Sequence, residues 1–385
     1  MQFNTYLTSH SELEQIQQTP ISEVILEHKS LSRLGNLQTK ALLSLTDEAL
    51  ASGLSPVLQW DILCTEQAFQ ESIALLKRLP LSKFHAVRIQ DPGAAEWFCS
   101  KHPKIPLHLI VESGNHNLAG LRRWTDYFSP QLQRLVLSTE LPESRLQEYC
   151  QSLNVACEIM VVGRILFFYT PRRLLSFLAP PTESLDSMEK SLIPAEQPQR
   201  KFPTTENQHG TFMFHHKDLF LLDLIPELQK TNLNMLRLDL RHLDFTGAWI
   251  RRIAGLLESF DKQKTTQLKI DWPCKITHGF FRANRTDLAI ERLKNPFLKD
   301  HGETMVGYVV ESLKGEHLIL LVNKKFSCGK TLLGITPEGK KCTILTDPIK
   351  TTTGQTVTDI TPDNLYLVPH VKYVTAQTLV YNLSE

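Results

Sequence analysis

The segment AVRIQDPGAAEWFCSK, residues 86–101, contains one complete strand–turn–helix unit. The short apolar run Ala86–Ile89 is typical of a strand that is buried on both faces. The turn sequence Asp91-Pro92-Gly93 follows it, and Ala94–Lys101 then carries apolar residues at helical spacing. This unit indicates a fold in which strands and helices alternate.

The same alternation recurs along roughly the first 260 residues, which is the usual length of a TIM-type barrel. Eight short runs rich in Val, Ile and Leu are predicted strands: Asn4–Leu7, Glu23–Leu26, Pro56–Trp60, Ala86–Ile89, Leu107–Val111, Arg134–Leu137, Glu158–Val162 and Met235–Leu238. Helical spacing is found at Ser11–Gln17, Glu66–Arg78, Ala94–Lys101, Leu118–Tyr127 and Ser144–Ser152. Doubly wound sheets share the alternation, but the count of units favours a TIM-like α/β barrel over residues 1–272.

Two intervals of the sequence do not follow this alternation of strands and helices. Residues 180–207 hold five prolines among Glu, Ser and Gln, which predicts an irregular insertion between the seventh and eighth barrel strands. After Trp272-Pro273, short strands alternate with glycine-containing turns: Tyr308–Glu311, His317–Val322, Thr331–Ile335, Cys342–Thr346 and Leu365–Val368. This pattern predicts a small all-β barrel domain over residues 276–385.

Composition limits the classes of function. The 385-residue chain is 42% hydrophobic and 22% charged, so disorder throughout the chain is excluded. Lys and Arg number 42 against 41 Asp and Glu, and a net charge of +1 argues against nucleic-acid binding by bulk charge. The sequence contains neither a long apolar run nor an apolar signal core after Met1, so we expect a cytoplasmic location and no membrane contact.

The spacing of the cysteines and histidines indicates no metal site, and common catalytic motifs are missing from the sequence. The seven cysteines are scattered and contain no C-x-x-C pair, so we interpret them as buried thiols. His215 and His216 are adjacent, and neighbouring residues of an extended segment point to opposite faces. The phosphate-loop, dinucleotide, zinc-protease and serine-hydrolase motifs are also absent from the sequence.

The candidate site consists of polar residues that follow the predicted strands, because chemistry in such barrels takes place at the C-terminal ends of the strands. These residues are Asp61, Glu112, Glu140, Arg164, Asp239 and Arg241, together with His108 inside the fifth strand. Several carboxylates and two arginines suit the binding of a small anion while a carboxylate transfers protons. The alternative is that these residues form salt bridges that close the end of the barrel.

The predicted β domain carries weaker signs of RNA binding. From Ile276 onward there are thirteen Lys/Arg and eleven Asp/Glu, a difference of 13 − 11 = +2. Lys324-Lys325 and Lys340-Lys341 lie near turns, with phenylalanines nearby, and such residues can form a platform for single-stranded RNA. Solvated turns around a hydrophobic core explain them equally well.

Four segments together resemble one family. They are residues 158–173, residues 210–219, Gly279–Asp287, and residues 323–339, which include Asn323–Gly329 and Thr336–Gly339. In order and spacing they are similar to the collagenase-like peptidase family, which also contains proteins of prephenate-dependent tRNA and ribosomal-RNA hydroxylation and a pair of proteins of oxygen-independent ubiquinone synthesis. The resemblance implies an N-terminal barrel, a C-terminal β-barrel, and either proteolysis or cluster-dependent hydroxylation.

The resemblance also implies residues of the site. Glu140 falls in the family's Arg-Glu-Leu segment, Glu158 and Arg164 fall in its Glu-x-x-x-x-Gly-Arg signature, and Asp239 and Arg241 match its Glu-Gly-Arg after the last strand. The chain departs from the family in its cysteines, because Arg173 stands where a cysteine is usual and the insertion contains none. A four-iron cluster needs about four thiolates, so we predict no cofactor.

Three classes of function follow. The first is a cluster-free enzyme, nominally a peptidase, that acts on a small anion or peptide. Its catalytic residues would be Glu140, Arg164, Asp239 and Arg241. Its substrate-binding residues would be Asp61, His108, Glu112 and Glu158. No nucleophile with an adjacent base is visible, so enzymatic activity stays open. The second is an RNA-modification factor that holds RNA through Arg282, Arg285, Lys324 and Lys325. The third is a non-catalytic scaffold that pairs with a cluster-bearing member of the same family.

Overall fold

The computed structural model describes residues 1–112, 115–176, 187–195, 198–244, 246–282 and 304–382. These residues form two compact units, and the first of them includes everything described up to residue 282. Each unit has its own sheet and its own hydrophobic core. Within the described residues, no helix has the length and hydropathy needed to cross a membrane.

The first unit is a closed barrel of eight parallel strands. They are β1 (Gln2–Tyr6), β2 (Ile21–Glu27), β3 (Ser55–Trp60), β4 (Ala86–Ile89), β5 (Leu107–Ile110), β6 (Leu132–Val136), β7 (Ala156–Thr170) and, after three further strands, β11 (Met235–Leu238). Neighbours in the chain pair with one another, and β11 pairs with both β1 and β7, which closes the sheet. The structure therefore confirms the TIM-like barrel and its eight predicted strands.

Helices surround the barrel on its outer face. They are α1 (His10–Ile16), α2 (Thr39–Ala51), α3 (Glu66–Leu76), α4 (Pro92–Lys101), α5 (Leu118–Tyr127), α6 (Glu143–Ser152), α7 (Ile225–Leu228), α8 (Thr246–Glu258) and α9 (Lys262–Asp271). The turn before α4 shows why it begins there. The Asp91 carboxylate accepts a hydrogen bond of 2.8 Å from the amide of Ala94, and Pro92 occupies the first helical turn.

Strand β7 is fifteen residues long and continues past the end of the barrel. Its second half pairs with β10 (Gly210–Phe220), which pairs with β9 (Phe202–Asn207), and β9 pairs with β8 (Ser187–Leu192), all antiparallel. We call β8, β9, β10, the part of β7 after Gly163 and the described residues that connect these strands the rim sheet. The short strand β12 (Ile276–Thr277) pairs with β10 and joins the first unit, although the sequence places these residues in the C-terminal domain.

The rim sheet corrects the expectation of an irregular insertion over residues 180–207. Two stretches of that interval are strands, while residues 177–186 and 196–197 lie outside the described part. Pro194 and Pro198 fall between β8 and β9, where they remove no ladder hydrogen bond. Thr204 and Glu206 alternate inward along β9, a pattern that the proline content hid.

Gly163 marks the point where β7 leaves the barrel. Its φ is +144°, and a Cβ there would lie 2.7 Å from the carbonyl oxygen of Asp239. Since that approach leaves no room for a side chain, glycine is required. The close contact sets Arg164 beside the loop that follows β11.

The second unit is an antiparallel half-barrel, which confirms the all-β prediction. Its strands are β13 (Met305–Leu313), β14 (His317–Val322), β15 (Thr331–Ile335), β16 (Lys341–Leu345), β17 (Lys350–Thr351), β18 (Asn364–Pro369) and β19 (Leu379–Asn382), in the order β16-β15-β19-β13-β14-β18-β17. Val309, Leu320 and Ile344 belong to its core. The sequence misses β19, although this short strand lies in the middle of the sheet.

Candidate active site at the barrel mouth

The C-terminal ends of the barrel strands surround a cavity of about 670 Å³, a size suited to a metabolite. Six of the predicted site residues line it: Asp61, Glu112, Glu140, Arg164, Asp239 and Arg241. Further polar residues that sequence reasoning missed line it as well, among them Tyr6, Glu27, Arg33, Gln59 and Arg237. The structure therefore brings together most of the predicted residues and adds others.

A buried network of charged residues lies inside the barrel, away from the cavity wall. We call it the lower network, and its members are Asn4, Glu23, Arg88, Arg134 and Glu158. The Glu158 carboxylate is fully buried and accepts hydrogen bonds of 2.9 and 3.0 Å from Arg88 and of 3.1 Å from Arg134. Arg134 also donates to Glu23 at 2.6 Å, and Asn4 donates to both carboxylates. Glu158, predicted to bind substrate, is thus enclosed by arginines.

The charges around Glu158 fix its protonation state. Burial alone raises the pKa of this carboxyl, but Arg88, Arg237 and Arg134 together outweigh burial and lower the pKa to about 2. His108 lies beside the same network and is also buried rather than part of the cavity wall. Burial, with Arg134 and Arg88 nearby, lowers the pKa of His108 well below 6.5, so its ring is neutral at pH 7.

A second set of polar residues forms the wall of the cavity. We call it the mouth layer, and its members are Tyr6, Glu27, Gln59, Asp61, Asp239 and Arg241. Arg241 binds Asp239 through two hydrogen bonds of 2.9 and 2.6 Å, donates to Glu27, and lies over the Tyr6 ring at 3.5 Å. The Gln59 amide donates to Glu27 at 3.0 Å and to Asp61 at 3.1 Å. These bonds hold the carboxylates in fixed positions.

Two carboxyls of the mouth layer have pKa values shifted in opposite directions. Burial raises the pKa of Glu27 to about 7, and the favourable charge of Arg241 only partly offsets burial. For Asp239, burial also raises the pKa, but Arg241, together with His242 and Arg237, outweighs burial and lowers the pKa to about 2. Near neutral pH, Glu27 can therefore exchange a proton while Asp239 stays ionised, which is a pairing suited to general acid–base chemistry.

Two arginines at the cavity have donors to offer to a ligand. Arg33 is held by Asp61, whose carboxylate accepts from its backbone amide at 2.9 Å and from its Nε at 3.1 Å. The terminal amino groups of Arg33 make no hydrogen bond with another described residue. Arg164 is half-buried with its guanidinium 5.8 Å from the Phe214 ring, and no described carboxylate lies within 4.0 Å of it. Since both side chains line the cavity, it can accept an anion.

The other predicted residues at the mouth have defined contacts. Glu112 forms an ion pair with Arg237, which in turn reaches Glu158 at 3.4 Å and so connects the cavity to the lower network. Glu140 is half exposed at the rim, with the His116 ring 3.8 Å away. A charged residue in the middle of an apolar strand was the available sequence signal for Arg237.

The described cysteines do not fit a four-iron cluster. Cys150 is hydrogen-bonded to Cys157 at the N-terminal end of β7. Cys64 follows the C-terminal end of β3, so it lies at the opposite end of the barrel. Because a cluster needs about four thiolates in one pocket, the described cysteines are not placed to hold one.

One group of metal-ligand residue types does converge, although the sequence does not predict it. Asp218, His242 and Cys274 have their ligand atoms within 4.8 Å of one another. The Asp218 carboxylate already accepts hydrogen bonds of 2.9 Å from His242 and of 2.9 Å from the Trp272 indole. These bonds attach β10 to the loops that follow β11 and α9.

The residues predicted to bind RNA fall in different places. Arg282 is in the first unit and pairs with Glu143 at 3.3 Å and Glu227 at 3.0 Å, which neutralises its charge. Lys324 and Lys325 are exposed in the second unit, directly after β14. Arg285 lies outside the described residues.

Residues 30–247 match the model of peptidase family U32. The chain belongs to this family. It is 22% identical over 313 residues to tRNA hydroxylation protein P of Escherichia coli (strain K12). The matched region covers 66% of this chain and 67% of that protein. The solved structure of the U32 peptidase Mk0906 is 10% identical, with a TM-score of 0.40 over 62% of this chain and 92% of that one. A chitinase from Rhizomucor miehei gives a TM-score of 0.37 at 10% identity, over 66% of this chain and all of that one.

Proposed function

We propose that this U32 protein acts in RNA modification of the hydroxylation type and that its mouth cavity binds a small anionic molecule used in that reaction. The relative from Escherichia coli supports the RNA assignment by its name. The observation that carries the cavity assignment is the pair Arg33 and Arg164, which offer donors to a space of about 670 Å³ next to Glu27.

The cavity residues have separate roles in this proposal. Arg33 and Arg164 bind the anionic group of the ligand, and Arg33 is kept in place by its two bonds to Asp61. Arg241 and Asp239 form a neutral pair that orients Glu27 without titrating near neutral pH. Glu27, with a pKa of about 7, gives or takes a proton at its carboxylate.

Peptide hydrolysis, the activity in the family name, has less support from the geometry. Such a reaction needs a nucleophile with an adjacent base, or a metal-activated water. Among the described residues that line the cavity, no hydroxyl or thiol is hydrogen-bonded to a histidine ring; the Tyr169 hydroxyl donates to the backbone carbonyl of His209. The cavity therefore favours a bound small molecule over a scissile peptide.

The test is a gene deletion in the organism that encodes the protein. Total tRNA and ribosomal RNA are digested to nucleosides, and mass spectrometry measures those that carry one added oxygen. We expect a hydroxylated nucleoside to disappear in the deletion strain, to return with the wild-type gene, and to stay low with Glu27→Gln. The Gln side chain matches Glu in size but transfers no proton.

Two outcomes would overturn the proposal. One is an unchanged set of RNA nucleosides in the deletion strain. The other is hydrolysis of gelatin or a peptide library by the purified protein that Glu27→Gln abolishes, since this result would assign the mouth cavity to a peptidase.

A further inference from the structure

The rim sheet carries basic side chains on its exposed surface. Its segment of the chain, residues 163–220, includes seven basic side chains: Arg164, Arg172, Arg173, Lys190, Arg200, Lys201 and Lys217. The same segment includes six acids, Glu183, Asp186, Glu189, Glu196, Glu206 and Asp218, a difference of 7 − 6 = +1.

The surface is more basic than this difference indicates. Glu206 is buried and accepts hydrogen bonds of 2.6 Å and 3.0 Å from the amides of Leu175 and Ser176. The negative charge of Glu206 is therefore bound to backbone amides inside the sheet and does not offset the basic side chains on the surface. Arg172, Arg173, Arg200 and Lys201 are all exposed, so they can contact a polyanion from solvent.

Aromatic rings are exposed on the same sheet. Phe167 is 61% exposed and Phe168 is 45% exposed, which is unusual for side chains of this size. The Phe167 ring lies 5.8 Å from the Phe202 ring and 6.4 Å from the His215 ring. Phe202 in turn contacts His216 at 5.3 Å, so Phe167, Phe202 and the two histidines form one continuous cluster.

The rings also reach the candidate active site. Phe167 and Phe168 line the mouth cavity together with Tyr169, whose ring stacks on Phe212 at 4.8 Å. A nucleotide base that is stacked on these rings lies next to the cavity, where the proposed chemistry takes place. The rim sheet and the mouth layer belong to the same unit, so their geometry is fixed within one sheet.

We propose that the rim sheet binds unpaired RNA nucleotides, with bases stacked on Phe167 and Phe168 and phosphates held by Arg172, Arg173, Arg200 and Lys201. The proposal rests on the RNA-modification function and assigns the RNA contact to a different surface from Lys324 and Lys325. Exposed rings on a sheet with flanking cations are the chemistry that single-stranded RNA recognition uses. An apolar protein partner would not need the basic residues that flank the rings.

The test compares RNA binding by the full chain and its variants. The probes are a labelled single-stranded oligoribonucleotide, a blunt RNA duplex of the same length, and total tRNA from the deletion strain. We expect the Phe167→Ala/Phe168→Ala variant to bind the single strand roughly tenfold or more weakly, because each stacked base contributes measurably to affinity. The Phe167→Trp variant keeps a stacking surface and should retain wild-type affinity.

Charge is tested separately through the dependence on salt. The Arg172→Ala/Arg173→Ala variant should reduce the slope of log K against log salt by about 1.4, since each phosphate contact on a single strand contributes about 0.7. The matched control is Lys324→Ala/Lys325→Ala on the half-barrel, for which affinity and slope should stay close to wild type. All these side chains are exposed, and a thermal unfolding curve of each variant checks that the fold is intact.

The outcomes separate this proposal from the proposed function. Equal binding of duplex and single strand, or wild-type affinity of both rim-sheet variants, overturns the RNA surface even if RNA hydroxylation depends on the gene. If the rim-sheet variants lose RNA binding while the nucleosides of the deletion strain are unchanged, the surface stands and the modification function falls.

Discussion

The lower network and the mouth layer are built from the same residue types, yet they differ in whether their hydrogen-bonding atoms face open space. In the lower network, Glu158 is surrounded by arginines and reaches no solvent. Next to the mouth layer, Arg33 and Arg164 keep donors that face the same cavity. Charged residues inside a barrel are therefore not by themselves a functional site, and unused bonding capacity next to open space distinguishes the two sets.

The largest expected effect is in the lower network. Replacing Glu158 by Gln leaves Arg88, Arg134 and Arg237 buried without their counter-charge. We expect the free energy of unfolding to fall by about 3–5 kcal/mol. Urea unfolding followed by tryptophan fluorescence measures this loss in the first unit, because all five tryptophans lie there.

The matched control for this prediction is Glu148→Gln. Glu148 pairs with Arg145 at 2.9 Å on the surface of α6, where both side chains are about half exposed. Loss of this ion pair should change the free energy of unfolding by less than about 0.5 kcal/mol. Equal effects of the two variants would contradict the distinction between the networks.

The next effect is the dependence of stability on pH. The pKa of Glu27 is raised from 4.5 to about 7 in the folded protein, so the folded state binds more protons than the unfolded state between these values. Stability should therefore fall as pH rises from about 4.5 to 7, by up to about 3 kcal/mol for this group. The Glu27→Gln variant should lose this decline in urea titrations across that pH range.

Glu158 should show the opposite slope at lower pH. Its pKa is lowered from 4.5 to about 2, so its contribution is present above pH 4.5 and is lost as pH falls from there towards 2. An acid-unfolding curve of Glu158→Gln should lack this component. If both carboxyls gave slopes of the same sign, the contrast between the two networks would be wrong.

The smallest expected effect concerns Tyr6. Its hydroxyl is 3.5 Å from the Gln59 oxygen, at the outer limit of a hydrogen bond, whereas its ring lies under Arg241. Tyr6→Phe keeps the ring contact and should cost less than about 1 kcal/mol in urea unfolding. A loss much larger than this would show that the hydroxyl supports the mouth layer.

The sequence predicts the barrel well because eight apolar runs recur at the spacing of one repeated unit. It also predicts much of the mouth, since residues that directly follow parallel strands converge at one end. Glu27 directly follows the predicted strand Glu23–Leu26, so the rule that selected Asp61 applies to it as well and could have found it. Arg33 lies in a loop with no pattern of its own and depends on Asp61 from the next strand.

The rim sheet was missed for a different reason. The end of β7 pairs with β10 across about forty residues of sequence, and Thr170 lies opposite Thr211. Sequence patterns over a few residues do not predict contacts between segments so far apart. Prolines between its strands indicated an irregular segment. Exposed aromatic residues next to arginines, as in Phe167–Arg173, were the signal that could have drawn attention to it.

The most direct test of the account is Arg164→Ala in the deletion strain, compared with Arg251→Ala on the exposed face of α8. No described carboxylate pairs with Arg164, so the variant should unfold at the wild-type temperature. We predict that hydroxylated nucleosides in cellular RNA stay at the level of the deletion strain with Arg164→Ala and return fully with Arg251→Ala. Full return with Arg164→Ala would contradict the assignment of the mouth cavity as the functional site.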